Sequence, residues 1–203
     1  MFYNERDSCY IRLKELARQV SKGVILEIGS RRGASAHAMA SVTKVPIYCI
    51  DLWDLSIPGD KRHGIHTNIS NYPDFIKHTK RFDVTPIKGL SSEIAKVWSK
   101  PIGLLFIDGE HSYKGCKIDY EGFSKHIVSG GFLVFHDYLP KSKKYKGVEQ
   151  VVNEVKEQPI WHTWEVVGTT ISARRKRDSF FTRLLSKLEG SSNFIIGQDF
   201  RYI

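Results

Sequence analysis

Cysteine is scarce in this sequence. Three occur among 203 residues, Cys9, Cys49 and Cys116, an odd number at wide spacing. That pattern excludes a disulfide framework and the paired spacing of a structural zinc site. Long apolar runs are missing as well: nothing approaches the ~20 residues that cross a bilayer, so no transmembrane segment is expected. The opening Met1-Phe2-Tyr3-Asn4-Glu5-Arg6-Asp7 lacks the apolar core of a secretory signal, and a cytoplasmic location is the expectation. No Gly-Lys-Ser/Thr phosphate loop is present, and no Gly-x-Gly-x-x-Gly turn of the dinucleotide enzymes. A nicotinamide dehydrogenase therefore ranks last among the candidates.

What is present is a core and a charge. The chain is 41% hydrophobic, with 11 Phe, 9 Tyr and 4 Trp, enough for one well-packed domain. Lys and Arg number 31 against 22 Asp and Glu, a formal charge of +9. The excess points to an acidic partner: nucleic acid, membrane surface or small anion.

Short β-branched runs alternate with amphipathic stretches, the pattern of βαβ units and a parallel sheet. Strands are predicted at Val24–Ile28, Pro46–Ile50, Val84–Ile87, Gly103–Ile107 and Phe132–His136. Trp164–Ala173 reads as two more, joined at Gly168-Thr169. Tyr113, Cys116, Tyr120, Phe123 and Ile127 recur at helical spacing, and Gly130-Gly131 reads as the stop of that helix. Val148, Val151, Val152 and Val155 form a second apolar stripe. Residues 1–20 are expected to be an N-terminal helix and 53–75 an insertion. One domain is expected over residues 1–177, with 178–203 as a C-terminal extension.

The first strand runs into Glu27-Ile28-Gly29-Ser30-Arg31-Arg32-Gly33, a glycine turn at the carboxyl end of a strand, where doubly wound sheets bind ligands. The second strand ends in Asp51, placed to accept the two ribose hydroxyl protons of a nucleoside; a turn or helix cap is the plainer alternative. Glu27 ends a buried strand, where a charge needs a partner. The fourth strand delivers Asp108-Gly109-Glu110-His111, and the fifth His136-Asp137-Tyr138. Two aspartates at neighbouring strand ends can share a hard divalent cation, and His111 titrates near neutrality, as a proton acceptor should. Helix caps and turns are the alternative for each of these alone.

Glu-x-Gly-x-x-x-Gly over Glu27, Gly29 and Gly33, with Asp51 next, resembles the class I S-adenosylmethionine-dependent methyltransferases. The resemblance covers about residues 20–176. It implies a Rossmann-like, doubly wound, mostly parallel seven-stranded α/β sheet. It also implies a cofactor, S-adenosylmethionine, held by Glu27, Gly29, Ser30, Gly33, Asp51, Leu90, Ser91 and Asp108; Gly89-Leu90-Ser91 has the form that meets adenine in the catechol type. Asp-Gly-x-His-x-Tyr followed by Gly-Gly-x-x-x-x-His-Asp is similar to methyltransferase family 24 and its macrocin-type relatives. That likeness implies Mg²⁺ on Asp108 and Asp137, with His111 as base and Asp108 as its catalytic companion. Catechol-type enzymes have Lys where His111 stands and a ligating Asn where Tyr138 stands. This sequence is thus one protein ligand short, to be made up by Glu110, a residue of 53–75 or water.

The implied activity is O-methyl transfer to a small hydroxylated acceptor, a sugar or secondary metabolite. Lys141, Lys143, Lys144 and Lys146, with Lys61, Arg62, His63 and His66, suggest that this acceptor is anionic; a solvated lysine-rich loop explains them equally. The extension beyond Arg174–Arg177 suggests a homodimer contact. Two alternatives stand beside this reading: a nucleic-acid methyltransferase, and a nucleoside-binding module without turnover.

Overall fold

The computed structural model describes residues 5–53, 71–138 and 146–178. Helix α1 (Glu5–Gln19) precedes β1 (Val24–Ile28), α2 (Ala34–Ala40), β2 (Ile47–Asp51), α3 (Tyr72–Thr79), β3 (Val84–Lys88) and α4 (Ser91–Val97). The second half adds β4 (Ile102–Ile107), α5 (Tyr113–Phe123), β5 (Ile127–Phe135), α6 (Lys146–Lys156), β6 (Trp161–Val167) and β7 (Thr170–Arg175). The sheet order is β3-β2-β1-β4-β5-β7-β6. All pairs are parallel except β5 with β7 and β6 with β7. This is the expected doubly wound seven-stranded sheet, and the order reverses between β1 and β4, which opens a crevice at their carboxyl ends.

Continuous apolar strands require cover on both faces. Every residue of β4 is buried. On one face Leu13, Leu16 and Ala17 of α1 and Ala36 and Met39 of α2 pack on Ile25, Leu104 and Phe106. On the other, Cys116, Tyr120 and Phe123 of α5 and Val148, Val151, Val152 and Val155 of α6 pack on Leu26, Leu105 and Leu133. The valine stripe is thus the buried face of α6, as its spacing predicts. Among the described residues, no helix is long and apolar enough to cross a membrane.

The Gly130-Gly131 expectation is corrected. Helix α5 stops at Phe123, a single 3₁₀ turn spans Ser124–His126, and Ile127 already lies in β5 opposite Ile102. The next paired residue, Leu104, faces Phe132, so the residues between form a bulge. Gly130 takes φ +81° there, and a Cβ on Gly131 would come within 2.8 Å of Ile127 Cγ2. The glycines permit a bulge rather than end a helix. The 53–75 insertion also narrows: Tyr72–Thr79 is helical, while residues 54–70 lie outside the described residues, as do Lys61, Arg62, His63, His66, Lys141, Lys143, Lys144 and residues 179–203.

Candidate active site

The carboxyl ends of β1, β2, β4 and β5 meet in one cleft. After β1 the chain turns at Gly29 with φ +89°, and a Cβ there would overlap the Asp108 carbonyl and stand 2.8 Å from Gly109 Cα. Gly33, at φ +77°, caps α2, and its missing Cβ makes room for Phe75, 2.8 Å away. Both glycines are required by the protein's own close packing, before any ligand is considered.

Asp51 ties this turn down. Its Oδ2 accepts the Arg31 N–H and its Oδ1 the Trp53 N–H, each at 2.7 Å. A carboxylate offers about four lone-pair directions. Two remain that could accept from a ligand's hydroxyls. Trp53 Nε1 donates to the Arg31 carbonyl at 2.8 Å and its ring packs 5.0 Å from Tyr72 and 4.9 Å from Phe75. Arg32 meets Asn71 and Asp74 on the same side. The two described ends of the insertion are therefore pinned together against the cofactor turn.

Glu27 lies beneath the turn, fully buried, accepting from the Ser35 hydroxyl and, at 3.4 Å, from the Cys49 thiol. Burial pushes its carboxyl up to about 7, against the lowering effect of the Ser35 bond. Ser30, also buried, stands beside it. Glu27 thus braces the turn from below. On the far wall, the Gly89 N–H donates to the Asp51 carbonyl at 3.0 Å, and Leu90 leaves 41% of its surface exposed, an apolar patch that could take a flat ring. Ser91 Oγ donates to Asp119 Oδ1 at 2.5 Å. Asp119 was not foreseen; it is buried, burial raises its carboxyl to about 6, and it links the adenine-side loop to Gly109. The set fits a nucleoside: a brace, a glycine turn, a carboxylate with free lone pairs and an exposed apolar wall.

The other half of the cleft is a cluster of side chains. Asp108, His111, His136 and Asp137 bring one ligand atom each within 4.8 Å of one another. His111 Nε2 lies 3.0 Å from Asp137 Oδ2 and 3.5 Å from Asp108 Oδ1. His136 Nδ1 lies 3.0 Å from Asp108 Oδ1 and 3.5 Å from Asp137 Oδ1. Burial pushes both imidazoles down, but Asp108 and Asp137 outweigh it and hold His111 up at about 9, and Asp108 with the Cys9 thiol holds His136 up at about 11. The His111 bond holds Asp137 below the usual carboxylate range.

Asp137 itself adopts φ +54°. A non-glycine residue in that region carries strain that the surroundings must hold, a recurrent feature of functional sites. In an extended strand His136 and Asp137 would point to opposite faces; the left-handed kink turns both into the cleft. Sequence reading assigned Asp137 but not His136, although the His-Asp pair after the glycines was its signal. Tyr138 leaves the site: its ring is buried and its hydroxyl accepts from Lys156 Nζ at 2.9 Å. Glu110 Oε1 accepts from Ser112 Oγ at 2.7 Å.

The sheet order reverses between β1 and β4, a glycine turn follows β1, and an acid–histidine cluster follows β4 and β5. Residues 26–138 match the family Methyltransf_24, a methyltransferase domain, and the chain belongs to that family. Its fold is shared with the O-methyltransferase NovP at a TM-score of 0.67 and 14% identity, covering 84% of this chain and 81% of NovP. An O-methyltransferase of Bacillus cereus, solved with S-adenosylhomocysteine, superposes at 0.61 with 15% identity, covering 82% and 80%. CalS11, a calicheamicin methyltransferase, gives 0.59 with 17% identity, covering 81% and 77%. An uncharacterised protein of Acanthamoeba polyphaga mimivirus is 29% identical over 132 residues, 62% of this chain and 57% of that protein. The match thus spans little more than half of the viral relative.

Proposed function

We propose that this methyltransferase transfers the methyl group of S-adenosylmethionine to a hydroxyl oxygen of a small acceptor. Asp108 and Asp137 hold a divalent cation in this reading, and His111 takes the hydroxyl proton. The observation that carries it is the backbone contact of Gly29 with Asp108, which sets the cofactor cradle directly against the acid–histidine cluster.

Glu27 and Ser30 brace the turn of Gly29 and Gly33, Asp51 binds the ribose, and Leu90 and Ser91 border the adenine. Asp108 belongs to both halves, its backbone against the cofactor turn and its carboxylate in the cluster. Oxygen ligands alone favour Mg²⁺; a nitrogen among them changes that preference. A cation there would supply charge to the ionised acceptor oxygen and offset the carboxylate attraction that keeps His111 protonated. The sulfonium is already activated, so aligning acceptor oxygen and methyl group supplies most of the acceleration.

A sugar hydroxyl is the acceptor we favour. CalS11 is described as a TDP-rhamnose 3′-O-methyltransferase, an enzyme acting on a nucleotide-linked sugar with the same fold. The domain boundary we propose is residues 1–177, which contain every strand of the sheet.

Calorimetric titration with S-adenosylhomocysteine, with and without divalent cation, tests this reading on wild type and Asp108→Ala. Binding in wild type and a cation effect lost in Asp108→Ala are expected. No binding in wild type overturns the function; a cation effect that survives in Asp108→Ala overturns the site.

A further inference from the structure

We propose that His136, through Nδ1, is the third protein ligand of the cation held by Asp108 and Asp137, and that its nitrogen tilts the site toward Fe²⁺, Co²⁺, Ni²⁺ or Zn²⁺ rather than Mg²⁺. This inference rests on the cation site proposed above and names its metal class.

Ligands at about 2.1 Å and right angles around one cation stand about 3.0 Å apart. His136 Nδ1 is 3.0 Å from Asp108 Oδ1 and 3.5 Å from Asp137 Oδ1, the first at cis-ligand spacing and the second within half an ångström of it, and all the cluster's ligand atoms lie within 4.8 Å of one another. The far side of the ring is also arranged. His136 Nε2 lies 3.4 Å from Thr169 Oγ1, and the Thr169 carbonyl accepts the Tyr138 N–H at 2.8 Å, fixing that residue beside the kink. With the Nε2 proton held by a hydroxyl, a cation at the carboxylates would displace the proton that Nδ1 shares with Asp108 and take its lone pair, the arrangement usual for ligating histidines. The left-handed backbone at Asp137 turns two consecutive side chains inward, which a plain strand end does not do.

Among the described residues, two other oxygen donors near the site have partners of their own, while His111 Nε2 has a like spacing to the two carboxylates and is kept for the proton. The Tyr138 hydroxyl meets Lys156, and Glu110 meets Ser112. Carboxylates and water suit Mg²⁺, which sheds its water reluctantly, whereas imidazole suits the later first-row cations. One imidazole and two carboxylates still leave positions open for acceptor oxygens. His111, across the cluster, remains the base.

The test is cation titration of the full chain with Co²⁺, Zn²⁺ and Mg²⁺, followed by calorimetry and by the visible absorption of bound Co²⁺. Wild type is expected to bind Co²⁺ and Zn²⁺ at least about 100-fold tighter than Mg²⁺. His136→Asp should restore an all-oxygen set, changing the Co²⁺ spectrum and narrowing that ratio at least about tenfold. Thr169→Val, which leaves every ligand in place, should weaken Co²⁺ by about 10–100-fold, the usual effect of losing a ligand's hydrogen-bond partner. A wild-type ratio near one, or a spectrum and ratio unmoved by both variants, overturns the proposal. S-adenosylhomocysteine binding is measured alongside. Its presence with no cation preference sinks the metal assignment alone; its absence from wild type sinks the functional reading beneath it.

Discussion

The two halves of the cleft are built from different materials. The cofactor half is mostly backbone: a glycine turn, N–H groups gathered by Asp51, and Glu27 sealed beneath. The catalytic half is side chain, four titratable groups that are 27% (Asp108), 25% (His111), 22% (His136) and 26% (Asp137) exposed. Backbone geometry leaves a spacing in the sequence; a side-chain cluster leaves only residue types at strand ends. The first half is fixed by sterics, the second by charge balance. Each therefore fails in its own way.

The largest effect should come from Gly29→Ala, which breaks both halves at once. A side chain at φ +89° costs about 1–3 kcal/mol, and the overlap with Asp108 about as much again. Thermal unfolding should show a loss of several degrees, and calorimetry a loss of both S-adenosylhomocysteine and cation binding. Next, His111→Ala should confine its damage to the catalytic half. It should lower kcat about 10²–10⁴-fold, the usual worth of a general base, with S-adenosylhomocysteine affinity unchanged; steady-state kinetics with calorimetry separates the two.

Glu27→Gln probes the cofactor half through pH. The folded carboxyl is raised from 4.5 to about 7, so the folded state holds its proton more tightly than the unfolded chain does. Stability from this group is greatest below pH 4.5, declines as pH rises toward 7, and is then level. The decline should reach about 3 kcal/mol, at about 1.36 kcal/mol per pKa unit for a fully buried group. Denaturant unfolding across that range should show the slope in wild type and its loss in the Gln variant. The smallest effect belongs to Asp51→Asn. It keeps one of the two acceptors for the Arg31 and Trp53 N–H groups, sets an NH₂ donor against the other and loses charge at the ribose; it should weaken S-adenosylhomocysteine about 10-fold, leaving cation affinity as it was.

Sheet order and cofactor half were legible because their signals are local. Four buried runs and a half-buried fifth, two glycines and an acid after the second strand each leave a mark on neighbouring residues. The catalytic half was legible where a single residue ends a strand, as at Asp108 and Asp137. His136 was not assigned because alternation along a strand puts it opposite Asp137, and the kink that defeats alternation is a backbone angle no residue type announces. Gly130-Gly131 misled for a related reason: a glycine pair permits several left-handed turns, and only the pairing of Ile127 with Ile102 selects the bulge. Helix α4 buries no residue, so it had no apolar stripe to read. Asp119 escaped because its partner Ser91 is distant in sequence.

The touch of Gly29 on the Asp108 backbone also bears on how this enzyme can diverge. Arg31 and Arg32, in the same turn, are exposed, and the Arg32 side chain meets Asn71 and Asp74 rather than the cluster, so changes at its tip fall on the rim. Gly29 has no such freedom, since any Cβ there displaces the strand end that carries Asp108. A lineage seeking new acceptors would have to explore the rims of the cleft while this hinge point stays still. One hydrogen atom's worth of space keeps the two halves evolving as one.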